Sequence, residues 1–362
     1  MAKNSRPGIS VAAKLALFGT AVAAIAYSVR EKRRLDFAGK TVVISGASRG
    51  LGLELARGFA DEGANIVLLS RDEERLKENS AELERRGIRV STLVCDVSRE
   101  EQVKSAVASI IRNCGTIDVL VNNAGTIQVG PSEHMDLEDY AEAMAVHFWA
   151  PLYFMHEVIP YMKRRGHGRI VNIASIGGKV AVPHLLPYVA SKFALVGLSE
   201  GMRAELLKDG IYVTTVSPGL MRTGSHLNAF FKGQHKKEFA LFSIANALPL
   251  FSTSSERAAH EIIEACRYGK AQVVITPQAR MLRLVNSVFP SLTAGIFGWV
   301  TRVLPGAQDA EGDILRRGSE SQSIIAPSVL TRPADNAVSR NREEPQKPAD
   351  IYLQMKRKTE TV

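Results

Sequence analysis

Thr41-Val-Val-Ile-Ser45-Gly46-Ala-Ser-Arg-Gly50-Leu-Gly52 sets the reading of the whole chain. Its first five residues have the composition of a short buried strand, and the glycines that follow open a helical stretch over residues 53–60. Glycine at such a turn lets a backbone approach a pyrophosphate closely, and the helix N-terminus behind it offers free N–H groups and a positive dipole end. The turn therefore reads as a dinucleotide cradle. Its spacing, Gly-x-x-x-Gly-x-Gly, is one residue longer than the commoner Gly-x-Gly-x-x-Gly, so the commoner fingerprint is not the one matched.

Outward from that unit, strand-like runs near 41–45, 65–69, 89–94, 117–121, 168–174, 211–217 and 272–275 alternate with helical stretches. The alternation predicts an α/β fold, a Rossmann-like, doubly wound, seven-stranded and mostly parallel sheet with its ligand at the carboxyl ends of the strands. With 362 residues, 45% of them hydrophobic, the chain can bury such a core and carry extensions. We divide it into residues 1–36, a membrane anchor; 37–277, the nucleotide-binding domain; 278–304, an amphipathic extension; and 305–362, a disordered tail.

Tyr188 stands thirteen positions after Ser175, and Lys192 follows four later in Tyr-Val-Ala-Ser-Lys. A phenol with an ordinary pKa of about 10 is a poor acid or base at neutral pH. On a helix, positions i and i+4 share a face, which is expected to put the Lys192 ammonium beside the Tyr188 oxygen. Lowering the phenol to about 7 needs roughly 4 kcal/mol. A unit charge at ~4 Å in an effective dielectric of ~20 supplies that much. Ser175 would hold a substrate oxygen while Tyr188 transfers the proton.

Three more segments occur in order: Cys95-Asp96-Val97, Asn122-Asn-Ala-Gly125, and Ser217-Pro-Gly-Leu-Met-Arg-Thr223. Together with the glycine turn and Tyr-x-x-x-Lys, they make residues 37–277 resemble the classical short-chain dehydrogenase/reductase family. The resemblance implies catalytic roles for Ser175, Tyr188 and Lys192. It implies cofactor contacts from Gly46, Ser48, Arg49, Gly50, Leu51 and Gly52 in the turn. Further contacts are implied for Asp96, Val97, Asn123 and Ala124, for Tyr188 and Lys192, and for Pro218, Gly219 and Thr223 on the nicotinamide side. Two positions depart from the family pattern. Ser45 stands where threonine is usual, which keeps the hydroxyl. His147, in Val146-His147-Phe148, stands where the family places a catalytic asparagine; the imidazole is read either as a relay group in the catalytic set or as a buried structural residue.

Cofactor choice is read from the end of the second strand, where Ser70 and Arg71 stand and an acidic partner for a ribose hydroxyl is missing. Arg49 adds a second cation on the same side, and guanidinium groups pair bidentately with phosphate oxygens. NADP(H) is the expected cofactor. Three dispersed cysteines and eight histidines show neither a disulfide framework nor metal-ligand spacing, so no metal is expected.

Residues 11–29 carry one charge, Lys14, over nineteen positions. As a helix they would run about 28 Å, against a hydrocarbon core of ~30 Å. Arg30, Lys32, Arg33 and Arg34 follow, a bias that would keep the enzyme domain on the cytoplasmic side. A cleavable signal peptide ending near Ala24-Ile-Ala26 is the rival reading; basic residues directly after the cut disfavour it. Residues 281–304, interrupted by Pro290, read as two amphipathic helices on a membrane face or over the active-site mouth, or equally as the dimer interface of a homo-oligomer or as core packing. The net charge of +9 suits anionic lipid, and no basic motif interleaved with aromatics suggests nucleic acid. After Thr223, a long segment carrying Phe230, Phe231, Phe239, Phe242 and Phe251 takes the place of the family's substrate lid, with His184 and Leu185 on the same pocket. The expected activity is interconversion of a ketone or aldehyde and an alcohol on a lipophilic substrate; the alternative is a membrane-tethered NADPH-binding scaffold with weak or no catalysis.

Overall fold

The computed structural model describes residue 20 and residues 27–248, 252–323, 325–329 and 331–345. Seven strands form the central sheet: β1 (Thr41–Ser45), β2 (Asn65–Ser70), β3 (Val90–Val94), β4 (Val119–Asn122), β5 (Gly168–Ile173), β6 (Ile211–Pro218) and β7 (Gln272–Ile275). Their order is β7-β6-β5-β4-β1-β2-β3, and every neighbouring pair is parallel. β1 lies between β2 and β4, with Val42 opposite both Ile66 and Val119, so the strand order reverses at the carboxyl end of β1. That reversal opens the crevice in which doubly wound sheets hold ligands.

Side-chain alternation along the strands feeds two cores. Val42, Ile44, Ile66 and Leu68 face one side, against Leu55 and Phe59 of helix α1 (Gly50–Asp61). Helix α2 (Glu73–Glu84) flanks β2 and β3, and Val43, Val67 and Leu69 face the other side, against Val107 and Ile110 of α3 (Glu100–Cys114). After the short α4 (Leu137–Met144), the chain passes through one π-turn, Ala145–Trp149, into α5 (Ala150–Arg165), whose Phe154 and Val158 complete this second core. Helix α6 (Leu186–Leu206) carries Tyr188 and Lys192, α7 (His235–Ala247) lies in the segment expected to be the lid, and α8 (Ser255–Arg267) returns Ile262 and Ile263 to the first core.

Helices α9 (Pro277–Val288) and α10 (Pro290–Val300) extend beyond β7 and meet at Phe289. Their apolar residues face outward: Met281, Leu284, Val288, Leu292, Ile296 and Trp299 are all exposed, Trp299 by 61%. The Asn286 amide donates to the Lys179 carbonyl at 3.2 Å, which places α9 beside the loop that follows Ser175.

Residues 305–345 differ from the disordered tail expected from composition. A two-residue strand, Arg316–Arg317, adds antiparallel to Phe230–Phe231 of the lid, which itself pairs in parallel with Gln128–Val129. A last helix, α11 (Arg332–Arg340), buries Ala334 and Ala337. Polar composition misled here because the tail packs through small alanines and through polar groups that find partners on the domain, among them Asp335 with His226 at 3.1 Å.

Residues 1–19 and 21–26 of the expected anchor lie outside the described residues, as does Phe251 of the expected lid. Among the described residues no helix is long and apolar enough to cross a membrane. The basic flank packs onto the domain. Arg30 stacks over Tyr268 at 4.0 Å, Arg33 lies 5.5 Å from the Tyr212 ring, and the Arg33 carbonyl accepts from Arg169 at 2.5 Å. The chain thus enters at the amino ends of β5 and β6, opposite the ligand crevice.

Candidate active site

Ser175 caps a tight turn after β5, its Oγ accepting from the Gly177 N–H at 3.0 Å. Tyr188 stands in the first turn of α6 and Lys192 one turn on, as helical spacing requires. Burial holds the Tyr188 phenol above its ordinary range, and the neighbouring Ser175 hydroxyl opposes this by favouring the ionised form. Lys192 departs from expectation. Its Nζ donates to the Ile173 carbonyl at 2.8 Å and lies 5.7 Å from the Tyr188 ring centre, and burial lowers its pKa to about 7. A shared helix face brings the two residues together without choosing where a four-carbon stem points its head. A buried ammonium takes the nearest strong acceptor, here the end of β5.

His147 sits in the π-turn, fully enclosed, with its ring edge-on to Tyr188 at 5.3 Å. Its Nε2 accepts from the Thr126 N–H at 3.1 Å. Nδ1 must then carry the proton and donates to Ser191 Oγ at 2.8 Å, and that hydroxyl donates to the Tyr188 carbonyl at 2.8 Å. Burial and the Lys192 charge hold the imidazole pKa well below its ordinary value. The relay reading finds neither ring nitrogen free. The side chain ties the loop after β4 to the backbone of Tyr188, a positioning role.

The cradle is built from both sides of the topological switch. Gly46 and Gly50 have φ of +65° and +61°, the left-handed region that favours glycine, and a Cβ on Gly52 would overlap the Gly46 carbonyl. Ser45 Oγ accepts from the Asn123 and Ala124 N–H groups at 3.0 and 3.2 Å, so serine performs the tie for which a hydroxyl is needed. The Asn123 amide donates to the Ser45 and Gly46 carbonyls at 3.1 Å. Asn122 donates to the Asn172 side chain at 2.8 Å, locking β4 to β5. Asn79, which sequence reading missed, donates from α2 to the Ala47 and Ser48 carbonyls at 2.9 and 3.0 Å. No local motif marks it; only the fold brings α2 to the turn.

Around the cradle, Asp96 accepts from Ser98 and is followed by a buried Val97 at the end of β3. Leu51 is buried in α1. Pro218 and Gly219 end β6 against Thr276 and Ala279, and the Thr223 hydroxyl donates to Ser225 at 2.8 Å. Arg71 is exposed just past β2. A third arginine, Arg317 of the tail, lies over the Phe230 ring, and its pKa is lowered by burial and by the Arg49 and Arg71 charges against the opposing Glu320. On the substrate side, His184 takes a left-handed φ of +61° and meets the buried Glu238 of α7 at 2.7 Å. The lid rings Phe231, Phe239 and Phe242 pack on one another with centres 5.5 and 5.9 Å apart.

These residues fit an NADP(H) cofactor: glycines at left-handed positions form the turn before the helix N-terminus, and Arg71 rather than a carboxylate stands directly after β2, with Arg49 in the turn.

Known proteins agree with this geometry. The short chain dehydrogenase family model matches residues 40–230. A putative ketoacyl reductase of the granaticin polyketide synthase from Streptomyces violaceoruber is 36% identical over 214 residues, covering 58% of this chain and 79% of the relative. L-sorbose reductase from Gluconobacter frateurii, solved with NADPH and L-sorbose, aligns with TM-score 0.60 and 30% identity over 67% of this chain and 97% of that one. Gluconate 5-dehydrogenase from Burkholderia cenocepacia, solved with NADP and tartrate, aligns with TM-score 0.60 and 28% identity over 70% of this chain and 98% of that one. By fold, cradle and motif order, the chain belongs to the short-chain dehydrogenase family and is a dinucleotide-dependent oxidoreductase.

Proposed function

We propose that the protein is an NADP(H)-dependent carbonyl reductase or alcohol dehydrogenase acting on a lipophilic substrate at a membrane surface. The observation that carries the chemistry is the placement of the Ser175 Oγ and the Tyr188 ring together at Gly177, with Lys192 on the next turn of the Tyr188 helix. Ser175 holds the substrate oxygen and Tyr188 gives or takes the proton there. Lys192, with its pKa near neutrality, can exchange a proton with its surroundings. Bound NADP(H) supplies or accepts the hydride. Gly46, Gly50, Leu51, Arg49 and Arg71 would hold the nucleotide, and Pro218, Gly219 and Thr223 its nicotinamide side.

Support for a lipophilic substrate comes from the lid, where Ile127, Leu185, Leu227 and Phe242 remain partly buried around the aromatic cluster. The exposed apolar face of α9 and α10 beside the Ser175 loop supports contact with lipid. The apolar run at residues 11–29, with its basic flank, supports an anchor that leaves the catalytic domain on the cytoplasmic side. The sugar-acting enzymes among the structural neighbours frame the test. NADPH consumption should be faster with long-chain or polycyclic ketones than with polyols and ketoses. Turnover confined to the polar compounds would refute the substrate class, and NADPH binding without turnover on either panel would favour a tethered scaffold.

A further inference from the structure

The last described stretch of the chain runs across the glycine turn. The Gly50 N–H, a donor at the open end of α1, bonds the Asn341 carbonyl at 2.8 Å. Glu343 is only 4% exposed; its carboxylate pairs with Arg49 at 3.5 Å and lies where a Cβ on Gly50 would collide with it. On the facing wall, the Asn341 amide donates to the Thr223 carbonyl at 2.8 Å, and the Asn228 amide donates to the Glu343 carboxylate and carbonyl at 2.7 and 2.8 Å. The segment is pinned outside the crevice as well. The Arg340 carbonyl accepts from Arg57 at 3.0 Å, the Glu344 carbonyl from Arg75 at 2.6 Å, and Arg342 reaches Glu82 at 3.0 Å and the Asn79 side chain. Arg342 itself takes φ of +53°, a conformation non-glycine residues seldom adopt, so that Asn341 and Glu343 can both face the turn.

We propose that residues 338–345 form an intramolecular strap across the cofactor's phosphate cradle, with the Glu343 carboxylate standing where a cofactor phosphate would be held, so that the dinucleotide binds only as the strap leaves. An anion beside a helix N-terminus and an arginine is the chemistry such a cradle selects. The carboxylate is a weaker match than a phosphate, because it carries one charge and its burial raises its pKa. Competition of this kind lowers apparent affinity by the fraction of molecules with the strap open, so a chain open one time in ten binds about tenfold more weakly than its cradle allows. The strap is distinct from the substrate reading and requires only that the cradle take NADP(H).

The test uses the full chain. Fluorescence titration should show Glu343→Ala binding NADPH about tenfold more tightly than the parent, and Glu343→Gln shifting the same way by less. Limited digestion of the parent with trypsin should cut after Arg340 and Arg342 faster when NADPH saturates the protein. This second readout needs no variant, so misfolding of the substituted chains cannot hide the answer. Parental or weaker affinity in folded Glu343→Ala, or NADPH leaving the two cuts unchanged or slowing them, would overturn the strap. NADPH binding by neither parent nor variant would overturn the cofactor assignment, and the strap with it.

Discussion

Lys192 shows how far a motif can be read and where reading stops. Spacing on one helix brings it to Tyr188, but its head group lies at the Ile173 carbonyl, and its pKa falls from an ordinary 10.5 to about 7. Between those two values the unfolded chain binds more protons than the folded one, so stability should rise with pH from about 7 to 10. Below about 7 both states are charged and the full penalty stands, on the order of a few kcal/mol at about 1.36 kcal/mol per unit. Thermal melts without cofactor should therefore shift upward across that window, and Lys192→Met should melt higher at pH 7 and flatten the rise. A Tm independent of pH in the parent would contradict the assignment. His147 makes the opposite forecast. With its Nε2 already accepting from Thr126, the imidazole stays neutral through the range where free histidine titrates, and His147→Asn should leave the pH profile of turnover without a lost inflection near 6–7. The change should lower stability by about 1–3 kcal/mol, because Thr126 and Ser191 lose a buried partner.

Strands and the glycine turn were legible because their signals are local. Five buried residues running into Gly46 predict β1 and α1 without knowledge of anything else in the chain, and both are present at 41–45 and 50–61. Gly52 is the position where this element-level reading is most exposed to test. Its added Cβ would meet the Gly46 carbonyl, so Gly52→Ala must push α1 away from the turn, at about 1–3 kcal/mol of overpacking. Circular dichroism melts should show the loss, and NADPH titration should show binding weakened far beyond what that loss explains. An alanine variant that binds NADPH normally would mean the cradle tolerates a wider turn. The tail was illegible for the converse reason. Helix α11 contributes two buried alanines and a set of polar groups, which composition alone cannot distinguish from a solvated linker.

At the scale of the molecule, the basic flank before residue 35 and the apolar face of α9 and α10 stand at different ends of the sheet. The chain before residue 35 reaches the domain at the amino ends of β5 and β6, while α9 and α10 lie beside the carboxyl-end loop after Ser175. Full-length protein is expected to stay with membranes in alkaline carbonate if residues 11–29 span, since a spanning helix is not displaced by pH or salt. A chain beginning at Leu35 should be released by carbonate and by high salt. Retention of that shorter chain would transfer the attachment to the Met281 to Trp299 face.

By itself the sequence determined the mostly parallel sheet, the glycine turn and the placing of Tyr188 and Lys192 on successive turns of one helix, because strand alternation, helical periodicity and glycine's backbone freedom act over a few residues. Tertiary structure alone decided that the Lys192 ammonium faces Ile173, that His147 has no spare nitrogen, and that Glu343 reaches Gly50 across nearly three hundred residues of chain. A buried charge or hydrogen-bonding group takes whichever partner the finished fold brings within reach, and no local pattern names that partner beforehand.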